Sequence, residues 1–282
     1  MKLVTFEFAG RRGVGALKND RIIDLSAAGL PGSMREFIAA GADALAAAAR
    51  VEKPALPLAD VRLLAPIPDP QKVIAIGLNY MDHIREQKNT AVPTSPLVFA
   101  KFTSSIIGPE EAIEYDPALT NQVDWEAELG VIIGRRARRV SRSEALSYVF
   151  GYTPLNDVSA RDLQFGDKQW VRGKSLDTFC PIGPAITTAD EIPDPQALRI
   201  YSRVNGVTMQ NSTTAEMIFP VDELVAQLSN AFTLEPGDII ATGTPDGVGV
   251  FRNPKVFLQN GDRVEIEIEK LGVLSNPVKT FA

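Results

Sequence analysis

A few side chains in this 282-residue sequence have types and spacings suited to chemistry. In VDWEAELGVIIG, Val123 to Gly134, the carboxylates Asp124, Glu126 and Glu128 recur at every second position and lead into an apolar, β-branched run. Alternate residues of a strand share a face, so Glu126 and Glu128 project side by side while Trp125, Ala127 and Leu129 point the other way. Two neighbouring anions on a buried strand repel each other and cost several kcal/mol in desolvation unless a cation lies between them. An exposed edge strand with a solvated acidic face carries the same pattern, so both readings stay open here. A third acid, Asp157, falls where VFGYTPLND reads as a strand about to end, with Ser159 placed to cap a following helix. Helix capping is the alternative role for Asp157. An Asp with two Glu is an all-oxygen set, which favours Mg²⁺ or Mn²⁺, then Ca²⁺, over Zn²⁺ or Cu²⁺. Arg161 and Gln164, three apart on that helix, share a face that can turn back toward the same metal.

The only histidine, His83, lies in GLNYMDHIREQ. A strand that breaks at Gly77 and passes into a short helix puts His83 and Glu86 on one face, where the carboxylate orients the imidazole as a base. A lone histidine is more often a bystander than a catalyst. Having one only also removes a histidine-rich zinc site and any Ser-His-Asp triad built without His83.

The elements that must position these groups are punctuated by Pro and Gly. KLVTFEF, GVGALK and RIIDLS read as short strands, and SMREFIAAGADALAAAARV has helical spacing. The proline-rich stretch near residues 52–72 reads as a linker or strap. KVIAIGLNY and ELGVIIGR read as buried strands, SRSEALSYVF as a capped helix, and LRIYSRVNGVTMQ as a hairpin turning at Asn205-Gly206. PVDELVAQLSNAF reads as a helix, and DIIATGTPDGVGVF and DRVEIEIEKLGVLSNPV are strand-rich. The pattern predicts a β-rich α+β protein.

With 45% hydrophobic residues the chain can bury a large core. A net charge of −6 without a basic stripe argues against nucleic acid and anionic membranes as partners, and no apolar run approaches a spanning helix. The N-terminus lacks a secretory pattern, and the single Cys180 leaves no internal disulfide or cysteine-based metal cluster. A cytoplasmic location is expected.

Five segments in this order, GLNYMDH, VDWEAELGVIIG, NDVSARDLQ, QWVRGKSLDTFCPIGP and ATGTPDGVG, resemble the fumarylacetoacetate hydrolase family over roughly residues 70–282. The resemblance implies a mixed β-sandwich roll, a homodimer, and one Mg²⁺ or Mn²⁺ per subunit. It implies a small-molecule substrate, a β-diketo or 2-oxo acid. By position, Glu126, Glu128 and Asp157 match the metal ligands, and His83 and Glu86 match a dyad that deprotonates water or substrate. Residues 1–65 would form the small β-rich N-terminal domain of longer relatives, before a catalytic domain at 66–282.

On that hypothesis Lys174 offsets the charge of an enolate, and Thr244 hydrogen-bonds the substrate carboxylate. Arg161 and Gln164 hold its distal group, and Lys101 is a further candidate substrate contact. The activity expected first is hydrolysis of the carbon–carbon bond of an acylpyruvate, with His83 activating water. The alternative is isomerisation or decarboxylation, as of oxaloacetate or hydroxyhepta-dienedioates, using the same residues without water. The polar segment from Glu86 to Pro96 reads as a lid.

Overall fold

The computed structural model describes residues 1–87 and 90–281. Its spine is an eleven-stranded sheet. The order runs Ala55–Pro57, Arg21–Asp24, Arg11–Lys18, Lys2–Phe8, Ile186–Thr188, Val149–Asn156, Ala127–Ile133, Ile239–Ala241, Val73–Gly77 and Leu97–Lys101, with Arg62–Leu64 branching onto Lys2–Phe8. The central strand AELGVII is buried at every position, which is why its sequence is a near-continuous apolar run interrupted only by Glu128 and Gly130. A five-stranded sheet packs against it, in the order Val207–Thr213, Arg199–Val204, Arg263–Ile268, Gly272–Thr280 and Ile113–Tyr115. There RVEIEI alternates buried and partly exposed residues, because only one face of this sheet meets the core.

Alternation on the central strand divides the molecule. Ala127, Leu129, Val131 and Ile133 point into the core between the sheets, with Ile200, Val264, Ile266 and Leu274. Ile132, on the other face, packs in a cluster with Met34, Phe37 and Ile38, from the helix Met34–Ala39. Glu128 shares that second face, at the end of the strand near the helices Arg161–Gly166 and Val171–Lys174. The α+β, strand-rich class follows.

Several local expectations need correction. The Ala-rich stretch is two helices, Met34–Ala39 and Gly41–Ala48, because Gly41 at φ +64° turns the chain between them. The 52–72 region is no free strap: Ala55–Pro57 and Arg62–Leu64 pair into the large sheet. SRSEALSYVF holds only a short helix, Arg142–Ala145, and a 3₁₀ turn; its Ser141 hydroxyl bonds the Glu144 side chain instead of a backbone N–H. The GVGVF end of the glycine loop is a 3₁₀ turn, Gly249–Phe251, not a strand. The hairpin forms as read, with Asn205 and Gly206 at φ 51° and 78°, the pair of positive values that a type I′ turn demands.

The large sheet runs without a break from residues 2–8 into Ile186–Thr188. Lys2 and Leu3 pair with Thr187 and Ile186.

Candidate active site

The acidic strand of the sequence is two pieces. Val123–Asp124 pairs with Ser159–Ala160, and Ala127–Ile133 begins three residues later. Glu126 sits in the gap, where its N–H donates to the side chain of Asn156 at 3.0 Å and its carbonyl accepts from the N–H of Asp157. The strand Val149–Asn156 ends one residue before Asp157, so both chains release a carboxylate at the same level of the sheet. Ligand atoms of Glu126, Glu128 and Asp157 lie within 4.8 Å of one another, and all three residues are buried.

Cations surround two of the three. The Lys174 ammonium donates to Glu126 at 2.7 Å and to Asp157 at 2.8 Å, and Lys101 donates to Asp157 at 2.5 Å. Arg161 reaches Glu126 at 2.7 Å. Burial pushes the Glu126 carboxyl up, but Lys174 and Arg161 outweigh it and hold it at about 2. Burial likewise pushes the Lys174 ammonium down, and Asp157 with Glu126 overturns that and raises it. Glu128 differs: it accepts the N–H of Gly243 at 2.9 Å and, among the described residues, has no cation within hydrogen-bonding distance. Burial, then Asp157 and Glu126, push its carboxyl well above the usual range. Four buried carboxylates, counting Asp124, thus face the three buried cations Lys101, Arg161 and Lys174, and the unmatched one is Glu128. An all-oxygen donor set with one uncompensated carboxyl fits a hard divalent cation.

Asp124, the first member of the acidic alternation, takes no part in that set. Its carboxylate accepts the N–H groups of Trp125, Gly249 and Val250 and the Nε of Arg161 at 2.8 Å, which aims the guanidinium. Arg161 also donates to Gln164 at 2.9 Å, as their shared helix face requires. Its Nη2, though buried, has no hydrogen-bond partner among the described residues. Ser159 does not cap the helix; its hydroxyl turns back to the carbonyl of Asp157, and Ala160 occupies the cap position.

A cleft opens over these groups, lined by His83, Glu126, Glu128, Arg161, Gln164, Lys174 and Thr244. His83 and Glu86 lie on the helix Met81–Glu86, which starts after the strand Val73–Gly77. The His83 Nδ1 lies 2.6 Å from Glu86, whose other oxygen accepts the N–H of Gly247 at 3.0 Å. A carboxylate only accepts, so the ring donates through Nδ1 and, when neutral, keeps Nε2 as a bare acceptor.

Lys101 is beside the site but not in its wall: it is enclosed between Asp157 and the carbonyls of Val158 and Lys174, so it supports the carboxylate from behind. This is a correction to its expected place as a substrate contact. Gln87 lines the cleft, while residues 88 and 89 of the expected Glu86–Pro96 lid lie outside the described residues. Sequence reasoning missed Asn156, legible only as the neighbour of Asp157, and Gln210, which carries no local signal. It also missed the apolar wall of Phe99, Trp170 and Phe251.

The buried carboxylate cluster and the His–Glu pair on the cleft wall bring together the groups that the sequence resemblance to the fumarylacetoacetate hydrolase family implies. The chain belongs to that family: residues 72–279 match the model described as fumarylacetoacetate (FAA) hydrolase C-terminal, and residues 1–66 match one described as Rv2993c-like, N-terminal. It is 47% identical to oxaloacetate tautomerase FAHD2A, mitochondrial, of Bos taurus, over 99% of this chain and 91% of that protein. Among solved structures, the fumarylacetoacetate hydrolase of Exiguobacterium antarcticum superposes with a TM-score of 0.90 at 42% identity, covering all of both chains. A 2-hydroxyhepta-2,4-diene-1,7-dioate isomerase of Mycobacterium marinum superposes with a TM-score of 0.81 at 35% identity, over 99% of this chain and 98% of that one. The expectation of carbon–carbon hydrolysis thus meets relatives named for tautomerisation and isomerisation as well as for hydrolysis. The expected cytoplasmic location meets relatives named mitochondrial. No described helix is long and apolar enough to cross a membrane.

Proposed function

We propose that this enzyme interconverts the enol and keto forms of a small 2-oxo dicarboxylic acid of the oxaloacetate type. The observation that carries the reading is a single imidazole, polarised by Glu86, on the wall of a cleft that is also lined by Lys174 and by Arg161, whose Nη2 has no partner among the described residues. In the reaction the enol O–H gives up a proton and the adjacent carbon takes one, so no bond between heavy atoms breaks. His83 Nε2 accepts the first proton and, as imidazolium held by Glu86, returns one to carbon. Arg161 and Gln164 hold the distal carboxylate, and Thr244 the proximal one. Lys174 stabilises the enolate that forms between the two proton transfers. A divalent ion, Mg²⁺ or Mn²⁺, held by Glu126, Glu128 and Asp157 would supply Lewis-acid charge toward the 2-oxo group. The homodimer of the family resemblance belongs to the same reading and is read by sedimentation.

Hydrolysis of an acylpyruvate is the second reading, and the same His83–Glu86 pair at 2.6 Å favours it, since that base could take its proton from water. The test follows the decay of enol-oxaloacetate absorbance with Mg²⁺-loaded protein, beside release of pyruvate from an acylpyruvate. Fast enol decay with slow acylpyruvate cleavage is expected, and His83→Ala should slow the decay by about 10²–10⁴-fold. Rapid cleavage of the acylpyruvate with no acceleration of enol decay would overturn the tautomerase reading in favour of the hydrolase.

A further inference from the structure

Gln210 lies on the strand Val207–Thr213 of the five-stranded sheet, yet its side chain reaches across to the active-site edge of the large one. It is 1% exposed, and its amide oxygen and both amide hydrogens are engaged. The oxygen accepts the N–H of Ala127 at 2.9 Å, in the gap between Glu126 and Glu128. The nitrogen donates to the carbonyl of Pro245 at 2.9 Å and to the Thr244 hydroxyl at 2.8 Å. The orientation of the amide is not a free choice. Ala127 offers only a donor and Pro245 only an acceptor, so a flipped amide would oppose like groups on both sides. The Thr244 oxygen must therefore accept from Gln210. A hydroxyl has a single proton, and among the described residues Thr244 makes no other hydrogen bond, so that proton is left for whatever enters the cleft.

We propose that Gln210 is a positioning residue that sets Thr244 as an obligate donor, so that this corner of the cleft selects a ligand oxygen that accepts, such as a carboxylate, over one that donates. The inference rests on the 2-oxo acid reading. The signal is invisible in the sequence because Gln210 lies more than eighty residues from Ala127 and more than thirty from Thr244.

The test uses the Mg²⁺-loaded full chain and oxalate, a small dicarboxylate, as the probe by calorimetry, together with kcat and KM for enol-oxaloacetate. Gln210→Met, Thr244→Val and the double variant form a cycle. Each single variant should weaken oxalate by roughly 10-fold, the worth of one hydrogen bond to a charged group, and raise KM more than it lowers kcat. The double variant should be no worse than the weaker-binding single, because both remove the same interaction. Gln210→Glu, nearly isosteric, should do at least as much harm, since its carboxylate takes the Thr244 proton; it also serves if Gln210→Met does not fold. Mn²⁺ affinity should stay within about two-fold throughout, which a collapse of the carboxylate cluster would not allow. Oxalate bound as tightly by the Gln210 variants as by the wild type, or additive losses in the double variant, would overturn the assignment alone. A wild type that does not bind oxalate would overturn both the assignment and the 2-oxo acid reading beneath it.

Discussion

Glu128 and Lys174 occupy the same cluster with opposite electrostatic standing. Lys174 neutralises Glu126 and Asp157, whereas Glu128 is the buried carboxyl that no side-chain cation among the described residues pairs with. Its pKa is raised above the ordinary 4.5, so the folded, metal-free protein binds a proton there that the unfolded chain has already released. Stability of that state should therefore fall as pH rises above about 4.5 and toward the raised value. Glu128→Gln removes the titrating group, and with it the cost of taking up a proton on folding, while keeping the acceptor for Gly243. In chelator-treated protein it should flatten the pH dependence and raise stability at neutral pH by about 1–3 kcal/mol. The same variant should weaken Mn²⁺ binding by roughly 100-fold or more, since a ligand is lost. Lys174→Met should act the other way in the metal-free protein, costing about 3 kcal/mol by leaving Glu126 with Arg161 alone and Asp157 with Lys101 alone. Melting curves with and without Mn²⁺ read both signs, and a Glu128→Gln variant that is destabilised and still binds Mn²⁺ would refute this account of the cluster.

At the scale of elements, the site depends on how closely two short helices approach. Arg161 and Gln164 come from Arg161–Gly166, and Lys174 from Val171–Lys174. Gly173 lies at their contact, where an added Cβ would come within 2.6 Å of the Gln164 nitrogen and 2.9 Å of the Ala160 carbonyl. Both neighbours are backbone and cannot step aside as a side chain would. Gly173→Ala should cost about 1–3 kcal/mol and push Lys174 away from the carboxylates. Activity should fall by more than the loss of folded protein explains. Wild-type melting temperature and turnover in this variant would show that helix contact does not set the position of Lys174. The RGKS motif was legible in sequence, but the reason for its glycine was not, because the partner backbone belongs to the preceding helix.

Across the whole molecule, the N-terminal residues share one sheet and one core with the rest. Leu3, Val14 and Phe37 pack in the same cluster as Ile132, Phe150, Ile239 and Cys180. Burial pushes the Cys180 thiol up to about 12, so it has almost no thiolate at neutral pH and no path to reagent in the fold. The full chain should unfold in a single transition, with iodoacetamide labelling of Cys180 at pH 8 appearing only in that transition. A fragment lacking residues 1–65 should lose its cooperative melt, having exposed the Ile186–Thr188 edge and one wall of the cluster. A stably folded 66–282 fragment, or thiol labelling well below the melting range, would show that the first 65 residues form an independent domain.

The sequence by itself determined what is set by local periodicity and residue chemistry. Those are the buried central strand, the hairpin at Asn205-Gly206, the shared face of Glu126 and Glu128, and the His83–Glu86 pair on one helical face. Each depends on neighbours only a few positions apart, whereas the sequence joins Asp157 to the two Glu only through the family resemblance. Tertiary structure alone decided which carboxylate is left without a cation, why Asp124 serves Arg161 instead of the cluster, and that Lys101 lies behind Asp157. It also decided that the prolines of residues 52–72 sit among sheet strands, and that Gln210 spans from one sheet to the other. These depend on partners tens to more than a hundred residues away, and the hydrogen-bonding valences that fix them are satisfied only when two sheets and two helices close around the same few ångströms.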